Sequence, residues 1–279
     1  MPRSKLFRVF RTLVLTYVVA LILAAVFQRS LIYHPFHETE AALVEEARVL
    51  GLEPWRDAAG ATIGWKSPAR AEGRARNRLV VFNGNAGYAL HRAAYVEGFE
   101  HLEAGRLWEV YLFEYPGYGA RSGSPGERVI VDAGLAALET LAREDERPIF
   151  LLGESLGSGP ACALAGRRPE RVRGLILWTP FASLTEVAAH HYPFLPVRLI
   201  LRDRWENAAA LKNYHGPVGV RVAELDEIVT SAQGHKLYES YAGPKRLWIA
   251  PGATHNMFDL DRSASWWSEA SAFLLGEAP

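Results

Sequence analysis

Short apolar runs alternate with longer amphipathic stretches over most of this chain. Leu79-Val80-Val81-Phe82, Val110-Tyr111-Leu112-Phe113, Ile149-Phe150-Leu151-Leu152, Gly174-Leu175-Ile176-Leu177-Trp178, Val218-Gly219-Val220-Arg221-Val222 and Arg246-Leu247-Trp248-Ile249 suit strands covered on both faces. Residues 61–67, with Ile63 and Trp65, predict an earlier strand. Helical spacing predicts helices near 89–104 and over 129–143, 157–167, 232–241 and 263–275. Residues 38–50 have the same spacing with many charges and read as a solvated helix, and the small, basic stretch 68–77 reads as a surface turn. Strand and helix in regular succession predict an α/β fold: a mostly parallel sheet with helices on both faces. In such a sheet, ligands bind at the carboxyl ends of the strands.

The first thirty residues follow a different pattern. Arg3, Lys5, Arg8 and Arg11 precede an uncharged, mostly apolar run over residues 12–27, and Arg29 closes it. At about 1.5 Å per residue this run falls slightly short of a hydrocarbon core of roughly 30 Å. Snorkelling of Arg11 and Arg29, with residues 31–33 continuing the apolar character, makes up the difference. A cleaved signal peptide is the competing reading, but Ala24 and Ala25 have Ile22 and Leu23 at the positions where small residues belong. The expectation is an uncleaved anchor over residues 1–30 and a catalytic domain over 31–279. The basic flank predicts a single pass with that domain on the non-cytoplasmic side, periplasmic or extracellular. A cytoplasmic domain tethered by a hairpin is the other topology compatible with the sequence.

Composition narrows the partners. Lys+Arg and Asp+Glu are equal at 31 each, so no nucleic acid or polyanionic partner is expected. The single cysteine, Cys162, rules out an intrachain disulfide and falls within an apolar helix, where it reads as packing.

Candidate chemistry gathers at the carboxyl ends of the predicted strands. Gly153-Glu154-Ser155-Leu156-Gly157 joins a strand to a helix and fits G-x-S-x-G. There the serine sits on a sharp turn, with the positive end of the following helix aimed where an oxyanion would form. Asn83-Gly84-Asn85-Ala86-Gly87 follows Phe82, where the backbone N–H groups of Asn85 and Leu156 would point at one spot as an oxyanion hole. Tyr115-Pro116-Gly117-Tyr118-Gly119 makes a tight, aromatic-walled turn after the next strand. Asp226 lies just past Val222, and His255 just past Ile249. Ser155, Asp226 and His255 thus stand in the order nucleophile, acid, base. Glu224 and Glu227 compete with Asp226, but Glu224 lies close to the strand and Glu227 precedes the apolar pair Ile228-Val229. Glu154 occupies the variable position of the elbow and reads as structural rather than as a second acid.

On these motifs the chain resembles the serine α/β-hydrolases, in particular the membrane-anchored branch related to the ABHD depalmitoylases and the serine-aminopeptidase-like hydrolases. The resemblance runs from Leu31-Ile32-Tyr33-His34-Pro35 almost to the C-terminus and includes Leu225-Asp226-Glu227-Ile228-Val229 and Gly252-Ala253-Thr254-His255. It implies the α/β-hydrolase fold with a small cap, and hydrolysis of an ester, thioester or amide without a cofactor. It also marks Asp226 as the acid. The family usually carries His-Gly before the oxyanion loop. This chain has Asn83-Gly84, which predicts altered loop support rather than lost activity.

The cap is expected over residues 181–216, broken into short helices by Pro193 and Pro196. Its apolar and aromatic residues, near a membrane anchor, suit an acyl chain or lipid-like ester, and equally suit simple coverage of the core. His190-His191 lacks an evident third ligand, so no metal is expected. Trp266-Trp267 falls in the last helix and reads as packing. Three functions stay open: an ester or thioester hydrolase working through an acyl-enzyme, a serine peptidase or amidase, and a non-catalytic binding protein on the same fold.

Overall fold

The computed structural model describes residues 3–68, 77–102 and 108–277. It opens with a 30-residue helix, α1 (Arg3–Ile32). The strands follow as β1 (His34–Pro35), β2 (Glu53–Arg56), β3 (Thr62–Lys66), β4 (Asn77–Phe82), β5 (Ala86–Gly87), β6 (Trp108–Phe113), β7 (Ile149–Glu154), β8 (Val172–Trp178), β9 (Val218–Ala223) and β10 (Lys245–Ala250). The remaining helices are α2 (Glu40–Val49), α3 (Ala93–Glu100), α4 (Glu127–Glu144), α5 (Ser158–Arg167), α6 (Leu184–His191), α7 (Val197–Ile200), α8 (Asn207–Ala210), α9 (Ser231–Ser240) and α10 (Trp266–Leu275).

Eight strands form one sheet in the order β10-β9-β8-β7-β4-β6-β3-β2, parallel from β10 through β6, with β3 and β2 antiparallel at one edge. β7 therefore lies inside the sheet, between β4 and β8. Alternate residues of each strand feed two cores, as the two-residue period of a strand requires. One core joins Val80, Phe82, Leu151, Leu177 and Val220 to α4, α5 and α9. The other joins Leu79, Val81, Leu152 and Trp178 to α3 and α10, with Trp267 wholly buried against Tyr95 and Phe99. Trp266-Trp267 thus packs as expected, and so does Cys162.

Several elements depart from expectation. α2 is not simply solvated, because it buries Leu43 and Ala47. The expected helix near 89–104 begins as a 3₁₀ turn (Ala89–Arg92) before α3. Its last predicted residues lie outside the described residues, as does most of the turn over 68–77. β2 was not anticipated, since Pro54 and charged ends hide an edge strand. The pair β1–β5, two residues each and parallel, was not anticipated either.

The cap consists of α6, α7 and α8 with the loops between them, and Pro193 and Pro196 fall between α6 and α7. α1 runs onto this cap. Gln28 is buried, donates to the Ile200 carbonyl (3.1 Å) and accepts from the Arg202 N–H (2.6 Å). Arg29 pairs with the buried carboxylate of Asp203 through Nε (3.0 Å) and Nη2 (3.2 Å). Tyr33 donates to the same carboxylate (3.2 Å) and accepts from the Trp205 indole (3.1 Å). Burial and the Asp203 charge push the Tyr33 hydroxyl well above its ordinary pKa, so it stays a neutral donor.

Candidate active site

β7 ends on a turn that only its sequence permits. A Cβ on Gly157 would overlap the Phe82 carbonyl, and one on Gly153 would overlap the Gly157 backbone, so strand and helix approach closely only with glycine at both positions. Between them Ser155 takes a φ of 51°, in the left-handed region that a serine seldom occupies. That conformation turns its side chain away from the sheet and toward the loops that follow β9 and β10.

Those loops bring the other two residues. His255 Nδ1 donates to Asp226 Oδ2 at 2.7 Å, and His255 Nε2 lies 2.9 Å from Ser155 Oγ. With the Nδ1 proton facing the carboxylate, Nε2 is left to accept from the Ser155 hydroxyl. The Asp226 and His255 side chains are 1% and 7% exposed. The other Asp226 oxygen accepts from the N–H groups of Ile228 (3.0 Å) and Val229 (2.8 Å), so the carboxylate is fixed from both sides. Glu224 accepts from the Gly252 N–H (2.8 Å) and Glu227 is exposed. Asp226 alone of the three acids meets the imidazole.

Asn85 and Leu156, the expected oxyanion residues, line one cavity with Ser155. The loop that carries Asn85 hangs from its carbonyls. Tyr115 donates to the Asn83 carbonyl (2.6 Å), and the Asn85 carbonyl receives both the Tyr118 hydroxyl (2.7 Å) and the His34 N–H (2.8 Å). Asn83 spans its own turn, Nδ2 donating to the Gly84 carbonyl (2.9 Å), which is the substitute support expected of asparagine here. Burial keeps the hydroxyls of Tyr115 and Tyr118 protonated by pushing their pKa values well up.

Glu154 points away from Ser155's partners into a half-buried ion pair. Its oxygens accept from Arg92 Nε (2.6 Å) and Nη2 (2.7 Å), and from Tyr95 (3.0 Å). Burial opposes the Arg92 charge, but the adjacent Glu154 carboxylate outweighs it and leaves the guanidinium above its ordinary value. This bidentate pair braces the elbow, a structural role for Glu154. Sequence reading missed Arg92, Tyr95 and the two tyrosine hydroxyls as supports, because nothing local marks residues that meet only through the fold.

The cavity at Ser155 has a volume of about 280 Å³. Leu184, Val187, Leu195 and Val197 of the cap line one side, and Ala24, Gln28, Leu31 and Ile32 of α1 line another. His191 also lines it and lies 2.8 Å from the Ile228 carbonyl, which ties α6 of the cap to the loop that carries Asp226. Among the described residues, none that lines this cavity is acidic. A larger groove of about 1390 Å³ lies at the amino ends of β7 and β8, by Ile149 and Val172, remote from Ser155.

Residues 73–202 match the family model described as serine aminopeptidase, S33. An uncharacterized protein of Mycobacterium tuberculosis is 37% identical over 196 residues, 69% of this chain and 67% of that one. The lysophosphatidylserine lipase ABHD12 of Macaca fascicularis is 30% identical over 211 residues, covering 69% of this chain and about half (51%) of the lipase. Among solved structures, an esterase of Pyrococcus furiosus superposes with a TM-score of 0.63 at 15% identity, covering 88% of this chain and 97% of that one. The esterase Est1E of Butyrivibrio proteoclasticus gives 0.62 at 14%, over 81% and 100%. At such identities the solved structures speak for the fold, and the sequence relatives speak for descent. This chain has the α/β-hydrolase fold and belongs to the serine-aminopeptidase-like (S33) family of α/β-hydrolases.

Proposed function

We propose that this α/β-hydrolase is a membrane-anchored serine hydrolase that cleaves an acyl ester or thioester through an acyl-enzyme. The observation that carries the reading is the continuous hydrogen-bond path Asp226–His255–Ser155 opening on an apolar cavity. His255 takes the Ser155 proton as Oγ attacks the acyl carbon, then returns it to the departing alcohol or thiol. Asp226 holds the imidazole tautomer and stabilises the imidazolium formed at the transition state. The N–H groups of Asn85 and Leu156 receive the oxyanion. Water then repeats the sequence on the acyl-enzyme and frees Ser155.

An apolar cavity without a carboxylate favours an acyl chain over an aminoacyl group, whose free ammonium would need a charged partner. A lipase among the relatives points the same way. A fluorophosphonate probe should label the full chain, and Ser155→Ala should abolish labelling. Medium-chain p-nitrophenyl esters should exceed aminoacyl amides in kcat/KM. Equal labelling of the variant would refute Ser155, and preference for the amide would make the protein a peptidase.

The anchor reading rests on α1, whose residues Lys5–Ile32 are long and apolar enough to cross a membrane by length and composition. A signal peptide would be discarded, whereas here Ala24 and Gln28 belong to the cavity wall. The basic residues before the span support the catalytic domain lying on the non-cytoplasmic side. Reporters active only outside the cytoplasm, fused after Pro279, should be active, and a mature chain starting near Val26 would refute the anchor.

A further inference from the structure

α1 presents one stripe to the cap. Leu21, Ala24 and Ala25 are half-buried and Gln28 is buried, while the residues between and around them are exposed. Higher up the same face, the Tyr17 hydroxyl donates to the carbonyl of Phe194 at 2.8 Å. Tyr17 lies ten residues before Phe27 in the uncharged run, about 15 Å along the helix axis. The cap therefore climbs alongside the segment read as membrane-spanning. At its tip Phe194 and Leu199 are 84% and 83% exposed, and Tyr192 is 49% exposed.

Single exposed apolar residues are ordinary on a soluble surface. Here one of them, Phe194, carries the carbonyl that is bonded to a residue within an apolar helix. A tyrosine hydroxyl or a peptide carbonyl facing hydrocarbon requires a partner, because no water is present to supply one. Tyr17 and Phe194 satisfy each other. Behind the tip the exposed side chains change character to Arg198, Arg202 and Arg204, a basic rim of the kind that meets lipid phosphates. The cavity at Ser155 lies between this cap and α1.

We propose that the cap tip, through Tyr192, Phe194 and Leu199, is a second membrane-embedded element beside α1, and that the acyl substrate passes from the leaflet into the cavity between them. The partner surface is a lipid leaflet, and the substrate is a lipid ester or thioester resident in it. This inference rests on the anchored-hydrolase reading above, but part of its test is independent of catalysis.

The full chain is reconstituted into phosphatidylcholine–phosphatidylglycerol vesicles and labelled with a fluorophore at Phe194→Cys. Cys162 is fully buried and stays unlabelled in the folded protein. Lipids carrying a nitroxide on the acyl chain should quench the fluorophore, and aqueous iodide should not. Quenching by iodide and not by the nitroxide lipid would overturn the insertion. In the same vesicles, the double variant F194D/L199D should lose about tenfold or more in turnover of a long-chain ester held in the bilayer, while staying within about twofold on a short soluble p-nitrophenyl ester. Equal losses on both substrates would overturn the route. If the wild type turns over neither ester, the hydrolase reading and the route fail together, while the quenching result still decides the insertion.

Discussion

At the scale of single residues, the catalytic candidates were legible because each stands directly after a strand whose apolar run announces it. Ser155 follows β7, Asp226 follows β9 and His255 follows β10, so order along the chain became proximity across the sheet. The choice among Glu224, Asp226 and Glu227 was harder, and the loop geometry separates them. The two N–H groups on the far oxygen of Asp226 hold it in place without help from His255. Asp226→Asn should therefore fold normally. Its amide would present an N–H to Nδ1 and impose the wrong imidazole tautomer, which costs on the order of 10⁴ in kcat in a serine-protease triad. Glu227→Gln, altering an exposed side chain, should stay within a few-fold of wild type. Steady-state kinetics on one ester checks both, and reversed outcomes would make Glu227 the acid. What the sequence hid at this scale were partners far apart along the chain: Arg92 with Glu154, Tyr115 with Asn83, Arg29 with Asp203. Each member alone looks like an ordinary surface or core residue.

At the scale of elements, the central strands were plain from their unbroken apolar runs, and the edge was not. β2 carries Pro54 between charged residues, and β1 and β5 are too short to leave a periodic signal. Yet β1 matters to the site, because it ties the end of α1 to the loop that carries Asn85. Next to it, Glu114 follows β6 and is buried, with both carboxyl oxygens accepting from the Ala89 N–H (3.0 and 3.3 Å). Burial raises its pKa to about 8 from the ordinary 4.5. The folded chain therefore keeps this proton over a range where the unfolded chain has lost it. The resulting stability is fully present below about pH 4.5, declines as the pH rises, and is gone above about pH 8. Glu114→Gln keeps an oxygen for Ala89 and has no proton to lose. Its Tm should match wild type near pH 5 and exceed it by several degrees near pH 9, measured by thermal unfolding in detergent. Equal Tm values for the two proteins at both pH values would show that Glu114 is ionised in the fold.

At the scale of the whole molecule, α1 and the hydrolase domain share polar and apolar contacts, so α1 is part of the folded unit. The sequence marked the first thirty residues as an anchor by hydropathy, a measure blind to the one polar face through which Gln28 and Arg29 reach the cap. Replacing residues 3–27 by an unrelated apolar helix should preserve membrane attachment and fluorophosphonate labelling. Turnover of long-chain esters should fall severalfold relative to short ones, since Ala24 of the cavity wall and the Tyr17 contact to the cap are lost. An unchanged chain-length profile would show that α1 contributes no specificity. The Gln28 and Arg29 contacts to Ile200, Arg202 and Asp203 also impose a timetable on biosynthesis. An anchor of the kind proposed above would enter the bilayer while the partners of Gln28 and Arg29, some 170 residues later, are still unmade. Until residues 184–201 arrive, the cavity at Ser155 lacks its cap side. Asp226 and His255 come later still, so under the proposed function a half-made chain would already be attached to its membrane but unable to hydrolyse the lipids around it.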